Sequence, residues 1–193
     1  MLKIAIVGKA NSGKDTLAEA ISHLLSLKEI KTKQVALADP IKKIIKIMYP
    51  ETDNYILYGP SDNRKKIIPN SFLDGQPLTY RKLLQNLGTD VGRSYNENIW
   101  LDIVKHKLKR AKNKYGAFIV KDCRLKNEFD YLKRNDFYMI KIFRDNQLNL
   151  NHQSETEQDH IRTDEFNSAI SNNGSLQDLN DFAGHIITSL MIK

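Results

Sequence analysis

The stretch Val7-Gly8-Lys9-Ala10-Asn11-Ser12-Gly13-Lys14-Asp15-Thr16 indicates the fold. It follows an apolar run from Leu2 to Val7, and an amphipathic stretch begins at Thr16. This order of strand, glycine-containing loop and helix is typical of a loop that binds a polyphosphate. The two glycines allow the backbone N–H groups to point inward, and the positive end of the following helix adds to them. Lys14 can bring its charge to the β- and γ-phosphates.

One position departs from the usual phosphate-loop motif. After Gly13 and Lys14 the motif has Ser or Thr, whose hydroxyl binds Mg²⁺, whereas this chain has Asp15 followed by Thr16. A carboxylate is also a hard oxygen ligand, so both residues are candidate metal ligands. The alternative is a strand-to-helix turn that binds nothing. The agreement of strand, spacing, Lys14 and helix argues against that alternative.

Composition limits the classes of protein that this chain can represent. Its 193 residues suffice for one domain with a full core. The net charge of +7 favours an anionic partner, such as nucleotides, nucleic acid or a membrane surface. A single cysteine, Cys123, excludes an internal disulfide and favours the reducing cytoplasm. We expect no secretory signal, because the first apolar run is short, and no membrane span of about 20 apolar residues.

Apolar periodicity predicts strands that alternate with helices, and therefore a parallel sheet covered on both faces. The predicted strands lie at 2–7, 34–38, 117–120, 137–143 and 168–170, and the predicted helices at 16–28, 40–48, 79–87, 99–112, 127–133 and after 174. Residues 49–78 are poorly periodic and contain four prolines, which indicates an inserted, mobile segment. Residues 144–166 are polar and suit a lid.

Polar residues follow several of the predicted strands. Ligands of an open parallel sheet gather at the carboxyl ends of its strands, and here those ends carry Asp39, Asp122 with Arg124, and Arg144. Asp122 stands where phosphate-loop enzymes place a second acidic group for Mg²⁺ or its waters. Arg124 has the planar guanidinium that suits a phosphate. The structural alternatives are a helix N-cap for Asp122 and a surface ion pair with Glu128 for Arg124.

A second group of candidate residues lies between 79 and 100. Arg81 and Arg93 flank a predicted helix that carries Gln85, and Trp100 follows. Two arginines with an amide and an aromatic ring could hold a monophosphate and a flat base. Solvated arginines and a core tryptophan fit the same residues equally well.

These stretches together resemble the bacteriophage-type deoxynucleoside monophosphate kinases. The similar blocks keep the order of that family and span nearly the whole chain. They are residues 8–16 with their Gly-Lys-Asp-Thr ending, 37–42, 81–90, 122–124 followed by 127–128, 154–155 and 170–176.

The resemblance implies an α/β fold of the P-loop nucleoside monophosphate kinase type, in which helices cover both faces of a five-stranded parallel sheet. It implies a single domain over residues 1–193, with an acceptor-binding region at about 49–100 and a lid at about 144–166. The implied reaction is ATP- and Mg²⁺-dependent phosphorylation of a deoxynucleoside monophosphate to the diphosphate by direct in-line transfer. It requires no nucleic acid or membrane and leaves a homodimer open.

The resemblance also implies roles for individual residues. The candidates for binding ATP are Gly8, Ala10, Asn11, Ser12, Gly13, Lys14, Asp15, Thr16, Asn172 and Gly174. The candidates for binding the acceptor are Lys9, Asp39, Lys42, Arg64, Arg81, Gln85, Arg93, Trp100, Asp122 and Arg124. The candidate catalytic residues are Lys14, Asp122, Arg124 and Arg144, and the candidate metal ligands are Asp15 and Thr16.

Other phosphate-loop proteins are the alternatives. A small GTPase is disfavoured, because the chain lacks an Asn-Lys-x-Asp motif after a strand. A dephospho-coenzyme A or phosphomevalonate kinase would share the loop and the lid without needing a base pocket. A nucleic-acid-associated ATPase would use the positive charge and bind with a steep salt dependence. The block at residues 81–90 favours the monophosphate kinase.

Overall fold

The computed structural model describes residues 1–145 and 157–192, without the side chains of residues 157 and 158. Two compact units are present. Unit 1 comprises Met1–Leu37 and Leu101–Lys193, and unit 2 comprises Ala38–Trp100. The predicted acceptor-binding region falls within unit 2. The interpretation of the chain as a single domain stays a prediction.

Strands and helices alternate along the described chain. The strands are β1 Leu2–Val7, β2 Thr32–Val35, β3 Ile67–Leu73, β4 Gln76–Thr79, β5 Ala117–Cys123, β6 Tyr138–Phe143 and β7 Ser168–Ser171. The α-helices are α1 Lys14–Ser26, α2 Asp39–Met48, α3 Asn54–Tyr58, α4 Tyr80–Gln85, α5 Gly92–Tyr95, α6 Ile99–Ala111, α7 Lys126–Arg134 and α8 Leu176–Met191. A π-helix, Asn86–Val91, joins α4 to α5, and 3₁₀ turns occupy Ser61–Lys65, Glu157–His160 and Thr163–Glu165.

Unit 1 is built on a five-stranded sheet in the order β2-β5-β1-β6-β7, and all of its strand pairs are parallel. The central strands are continuous apolar runs because both of their faces are buried. Ile4 and Ile6 pack in a cluster with residues of α1 and α8, while the alternate residue Ala5 points to the other face. On that face α7 lies against β6 and buries Phe129 and Leu132. The predicted fold class is confirmed.

Several predicted boundaries differ from the observed ones. Helix α1 begins at Lys14 rather than at 16, because Gly13 at its N-cap adopts a left-handed φ of 96° and the chain is helical directly after it. Strand β2 covers Thr32–Val35 rather than 34–38, because the residues that pair with β5 are 32–35. Residues 86–91 continue the predicted helix at 79–87 as a π-helix. Apolar periodicity does not report which residues pair or how tightly a helix is wound.

Unit 2 contains more regular structure than its sequence suggested. Within residues 49–78 the structure has α3, a 3₁₀ turn and the antiparallel hairpin β3-β4. Asp74 and Gly75 form the hairpin turn with φ values of 51° and 73°. Asp-Gly is the typical sequence of such a turn, so the hairpin did have a local signal. In the described part of the chain, every helix is too short or too polar to cross a membrane.

Candidate active site

The phosphate loop connects the carboxyl end of β1 to α1. At Gly8 a side chain is excluded, since a Cβ there would lie 2.3 Å from the carbonyl oxygen of Ile142. Asn11 and Gly13 both adopt left-handed backbone conformations, with φ values of 63° and 96°. Alternation of right- and left-handed residues is the backbone arrangement that forms concave anion-binding turns. The loop is therefore shaped as the sequence predicts for phosphate binding.

Lys14 lies inside this loop rather than in solvent. Its side chain is buried, and its Nζ donates to the backbone carbonyl of Lys9 and to Ser12 Oγ, the latter at 3.4 Å. Because these contacts already order the side chain, little further side-chain entropy is lost when its ammonium meets a phosphate.

The side chain of Asn172, which follows β7, forms a hydrogen bond with the backbone of the phosphate loop. Its Nδ2 donates to the carbonyl of Ser12 at 2.9 Å, and a Cβ on Gly13 would lie only 2.3 Å from the same nitrogen. Gly174 lies close to Asp178 at the start of α8. The predicted contacts of Asn172 and Gly174 with ATP stay predictions, and the structure adds a supporting role for Asn172.

Asp15 forms an ion pair that the sequence did not suggest. Its Oδ1 lies 2.7 Å from Nζ of Lys121, and the side chains of Asp15 and Lys121 are 73% and 26% exposed. Lys121 stands one residue before Asp122 near the end of β5. Thr16 is exposed in the first turn of α1. Both candidate metal ligands are therefore at the start of that helix.

Asp122 and Arg124 lie at the end of β5. Oδ1 of Asp122 accepts the N–H of Leu37 at 2.6 Å, and α7 has Leu125 as its N-cap, so the interpretation of Asp122 as that N-cap is wrong. Buried Glu128 accepts the backbone N–H groups of Arg124 and Leu125 at 3.0 and 3.1 Å. These two bonds fix the backbone from which the Arg124 guanidinium extends.

Cys123, between Asp122 and Arg124, has no role as a nucleophile. Burial raises the pKa of its thiol well above the usual value, and the carboxylates of Glu128 and Asp122 raise it further. A thiol in this environment stays protonated and unreactive at neutral pH.

Part of the predicted lid contacts the phosphate loop. Nζ of Lys9 lies 2.7 Å from Oδ2 of Asp159, which belongs to the 3₁₀ turn Glu157–His160. Arg144 follows β6 and is exposed. Residues 146–156 of the predicted lid, including Ser154 and Glu155, lie outside the described residues. The lid stays a prediction.

In unit 2, two guanidinium groups meet at Ser61. Nη2 of Arg81 donates to the carbonyl and the hydroxyl of Ser61 at 2.8 and 3.1 Å, and Nη1 of Arg64 donates to the same hydroxyl at 3.4 Å. Nε of Arg81 is buried and has no hydrogen-bond partner among the described residues. A hydrogen bond from Lys65 lowers the pKa of neighbouring Asp62, and the charges of Lys65 and Arg81 lower it further. The charge of Arg81 thus adds a small stabilising effect on a neighbouring carboxylate.

The remaining acceptor candidates also lie in unit 2. The indole of Trp100 is buried and donates to the carbonyl of Gly88 at 2.7 Å, which supports its interpretation as a core residue. Nζ of Lys42 lies 4.6 Å from the ring centroid of Tyr58. Burial raises the pKa of that tyrosine, and the charge of Asp39 raises it further. Gln85 at the end of α4 and Arg93 in α5 are half-buried.

Comparison with known proteins identifies the family. The family model for deoxynucleotide monophosphate kinase matches residues 51–182. A curated relative, the putative deoxynucleotide monophosphate kinase of Acanthamoeba polyphaga mimivirus, is 32% identical over 154 residues, which cover 75% of each chain. The chain belongs to the deoxynucleotide monophosphate kinase family. It is thus a nucleotide kinase, as the sequence predicted.

Among solved structures, this kinase resembles the dephospho-CoA kinase from Campylobacter jejuni, with 16% sequence identity and a TM-score of 0.45. The match covers 96% of this chain and 94% of the other. The fold class of the kinase is evident from its own sheet order and phosphate loop.

Proposed function

We propose that this kinase transfers the γ-phosphoryl group of ATP to the phosphate of a deoxynucleoside monophosphate, giving the diphosphate and ADP. The observation that carries the proposal is the ordered phosphate loop with buried Lys14, in a chain of this family. Lys14 and the N-terminus of α1 are the groups that would neutralise charge on the transferring phosphoryl. The acceptor is itself an anion at neutral pH, so the transfer needs no strong general base and no covalent intermediate.

The residues at the start of α1 fit a magnesium site. Mg²⁺ prefers one or two carboxylates together with water and phosphate oxygens. Asp15 and Thr16 would hold the ion, and Asp122 would contact it or its waters. The bound ion supplies positive charge to the phosphate oxygens. In the structure the same carboxylate of Asp15 is paired with Lys121, so the ammonium and the ion would compete for it.

For the acceptor, we assign the phosphate to the arginine pair of unit 2. Arg64 and Arg81 both contact Ser61, so their charges are close together, and a dianionic phosphate would relieve the repulsion between them. Nε of Arg81 is a buried donor with no hydrogen-bond partner among the described residues. Trp100 would support the acceptor-binding region from inside, since its indole N–H is already used.

The polar segment at 144–166 is proposed to close over the nucleotides. Water must be excluded, or ATP would be hydrolysed instead of serving as the donor. Lys9 is paired with Asp159 of this segment, and a bound polyphosphate would compete with that carboxylate for Lys9. Arg144 would reach phosphate oxygens only in the closed state, so Arg144→Ala should lower kcat more than it raises KM for ATP. An unchanged kcat would exclude this role.

The function is tested by incubating the enzyme with ATP, Mg²⁺ and single acceptors, and separating the products by ion-exchange chromatography. The acceptors are the four deoxynucleoside monophosphates, the matching ribonucleotides and dephospho-coenzyme A. We expect a deoxynucleoside diphosphate from at least one acceptor, and none with Lys14→Ala. Turnover of dephospho-coenzyme A alone would reassign the enzyme to the alternative kinase class.

A further inference from the structure

One edge of unit 1 carries a concentration of positive charge that phosphoryl transfer does not use. It lies where β2 and β5 begin, at the end of the parallel sheet opposite to the phosphate loop, which follows the carboxyl end of β1. We propose that this basic edge, formed by Lys28, Lys31, Lys33 and residues 109–115, binds the phosphate backbone of a nucleic acid. The proposal does not depend on the proposed reaction.

The centre of the basic edge is a tyrosine that two lysines share. Nζ of Lys31 and Nζ of Lys33 lie 5.4 and 5.9 Å from the ring centroid of Tyr115. The carbonyl of Lys31 accepts the N–H groups of Gly116 and Ala117 at 2.8 and 3.2 Å, so the two segments are joined by backbone bonds. The ring face attracts both ammonium groups although they repel each other. The arrangement holds two positive charges side by side at the surface.

The end of α6 adds further cations to this edge. Residues 103–120 contain no Asp or Glu. Lys109, Arg110, Lys112 and Lys114 are exposed, and no ion pair joins them to a carboxylate within residues 1–145 and 157–192. The N–H groups of Lys114 and Tyr115 both donate to the carbonyl of Ala111, which turns the chain back toward β5 directly after the helix.

Helix stability explains only part of this charge. Lys109 and Arg110 occupy the last turn of α6, where cations stabilise the partial negative charge of the helix end. Lys112 and Lys114 lie beyond the helix, and Lys31 and Lys33 belong to another segment. Glu29 is the single acidic residue among residues 28–33. Most of the positive charge is therefore not balanced by the fold itself.

The chemistry of the edge favours a polymeric phosphate. The exposed lysines give a small ligand no enclosure, whereas a chain of phosphates gains from several contacts at once and from the release of its counterions. A membrane surface fits less well, because an interfacial segment needs an apolar face, and Leu27 is the one large exposed apolar side chain among residues 27–33 and 109–115. Half-buried Tyr115 can also contact a base beside the backbone.

The proposal is tested by fluorescence anisotropy with a labelled 20-nucleotide single strand and the corresponding duplex. Titrations run from 50 to 300 mM salt, both without nucleotide and with saturating ATP and Mg²⁺ to occupy the nucleotide site. We compare the wild-type enzyme with Lys31→Ala/Lys33→Ala and with Lys112→Ala/Lys114→Ala. The matched control is Lys126→Ala/Lys133→Ala, which removes the same charge from residues that are paired with Asp130 and Glu165.

A lysine that contacts a phosphate of duplex DNA contributes about 0.9 to the slope of log K against log salt, and about 0.7 for a single strand. A contribution of about 0.9 to this slope corresponds to up to about 15-fold in affinity for each duplex contact between about 1 M and 50 mM salt. We therefore expect each patch variant to weaken binding at least about tenfold and to lower the slope by about 1.4 to 1.8. The control should stay within about twofold of the wild type, by the same counting of contacts.

Four results would overturn the proposal. They are no binding at 50 mM salt, displacement of the oligonucleotide by ATP, an equal loss in the control variant, and binding to anionic phospholipid vesicles without binding to either oligonucleotide. Kinase turnover is measured separately and should be unchanged in both patch variants. Failure of the reaction and failure of this surface are thus independent results.

Discussion

Removal of the Asn172 amide tests whether the phosphate loop depends on support from β7. In the structure, Nδ2 of Asn172 donates to the carbonyl of Ser12 at 2.9 Å, and the Ser12 side chain is fully buried. In Asn172→Ala this bond is lost and the fold of the sheet is retained. The loop can then sample conformations in which its N–H groups no longer converge on a phosphate.

The expected magnitude follows from that single bond. A net contribution of about 0.5 to 1.5 kcal/mol corresponds to about 2- to 13-fold in an equilibrium constant. Because the proposed role of the loop is to bind the polyphosphate in the ground state and in the transition state alike, the loss should appear as a higher KM for ATP with little change in kcat. If water cannot reach the Ser12 carbonyl, its desolvation raises the cost toward about 3 kcal/mol.

Steady-state kinetics and a base-free competitor separate this role from a contact with adenine. We expect Asn172→Ala to raise the inhibition constant of inorganic tripolyphosphate by the same factor as KM for ATP. Asn173→Ala is the matched control, because the Asn173 amide bonds to Asp145 and Ser171 rather than to the loop. Unaltered tripolyphosphate inhibition in Asn172→Ala, together with a raised KM for ATP, would refute the supporting role and favour a contact of Asn172 with the adenine instead.

Further variants test the charges around the same loop. Lys14→Ala should lower kcat by about 10² or more, which stopped-flow turnover measures, and denaturant titration checks that the variant is folded. Asp15→Ala should raise the Mg²⁺ concentration needed for half-maximal rate, and Lys121→Ala should lower it, because it removes a cation that competes for the Asp15 carboxylate. The hydroxyl and N–H of Ser175 lower the pKa of Asp178 in the folded state. The stability that Asp178 contributes is present above its unfolded pKa of about 3.9 and is lost as pH falls through the lower folded pKa. In Asp178→Asn, the free energy of unfolding should therefore depend less on pH between these two pKa values, which acid unfolding curves measure.

The parts of the site that the sequence predicted are local. Gly8, Gly13 and Lys14 lie within one short loop whose spacing alone implies a phosphate-binding turn, and the alternating apolar runs imply the parallel sheet that presents it. The hairpin turn at Asp74 and Gly75 also has a local sequence signal, because Asp-Gly is typical of such turns. It was missed because the surrounding prolines suggested an irregular segment.

The parts that the sequence did not reveal depend on residues that are distant along the chain. Asn172 is 160 positions from its partner Ser12, and Asp122 is 85 positions from Leu37. No periodicity or motif reports such pairs. Trp100 shows that a sequence pattern can also suggest a role that the structure does not support. An aromatic residue near arginines is compatible with stacking on a base, whereas the hydrogen bond from the indole to the carbonyl of Gly88 shows that Trp100 packs inside unit 2.

The ion pair between Asp15 and Lys121 explains how this phosphate loop can have a carboxylate at the position where the motif usually has Ser or Thr. An unpaired Asp15 at the N-terminus of α1 would repel the polyphosphate that this helix end attracts, and it would weaken nucleotide binding whenever Mg²⁺ is scarce. With Lys121 at 2.7 Å the local charge is balanced without the metal. If Asp15 serves as the proposed metal ligand, the ammonium of Lys121 would stay near the start of α1 and could contribute positive charge there. We therefore expect the nucleotide affinity of this kinase to depend less steeply on Mg²⁺ than that of Lys121→Ala, a difference that calorimetric titration with and without Mg²⁺ would measure.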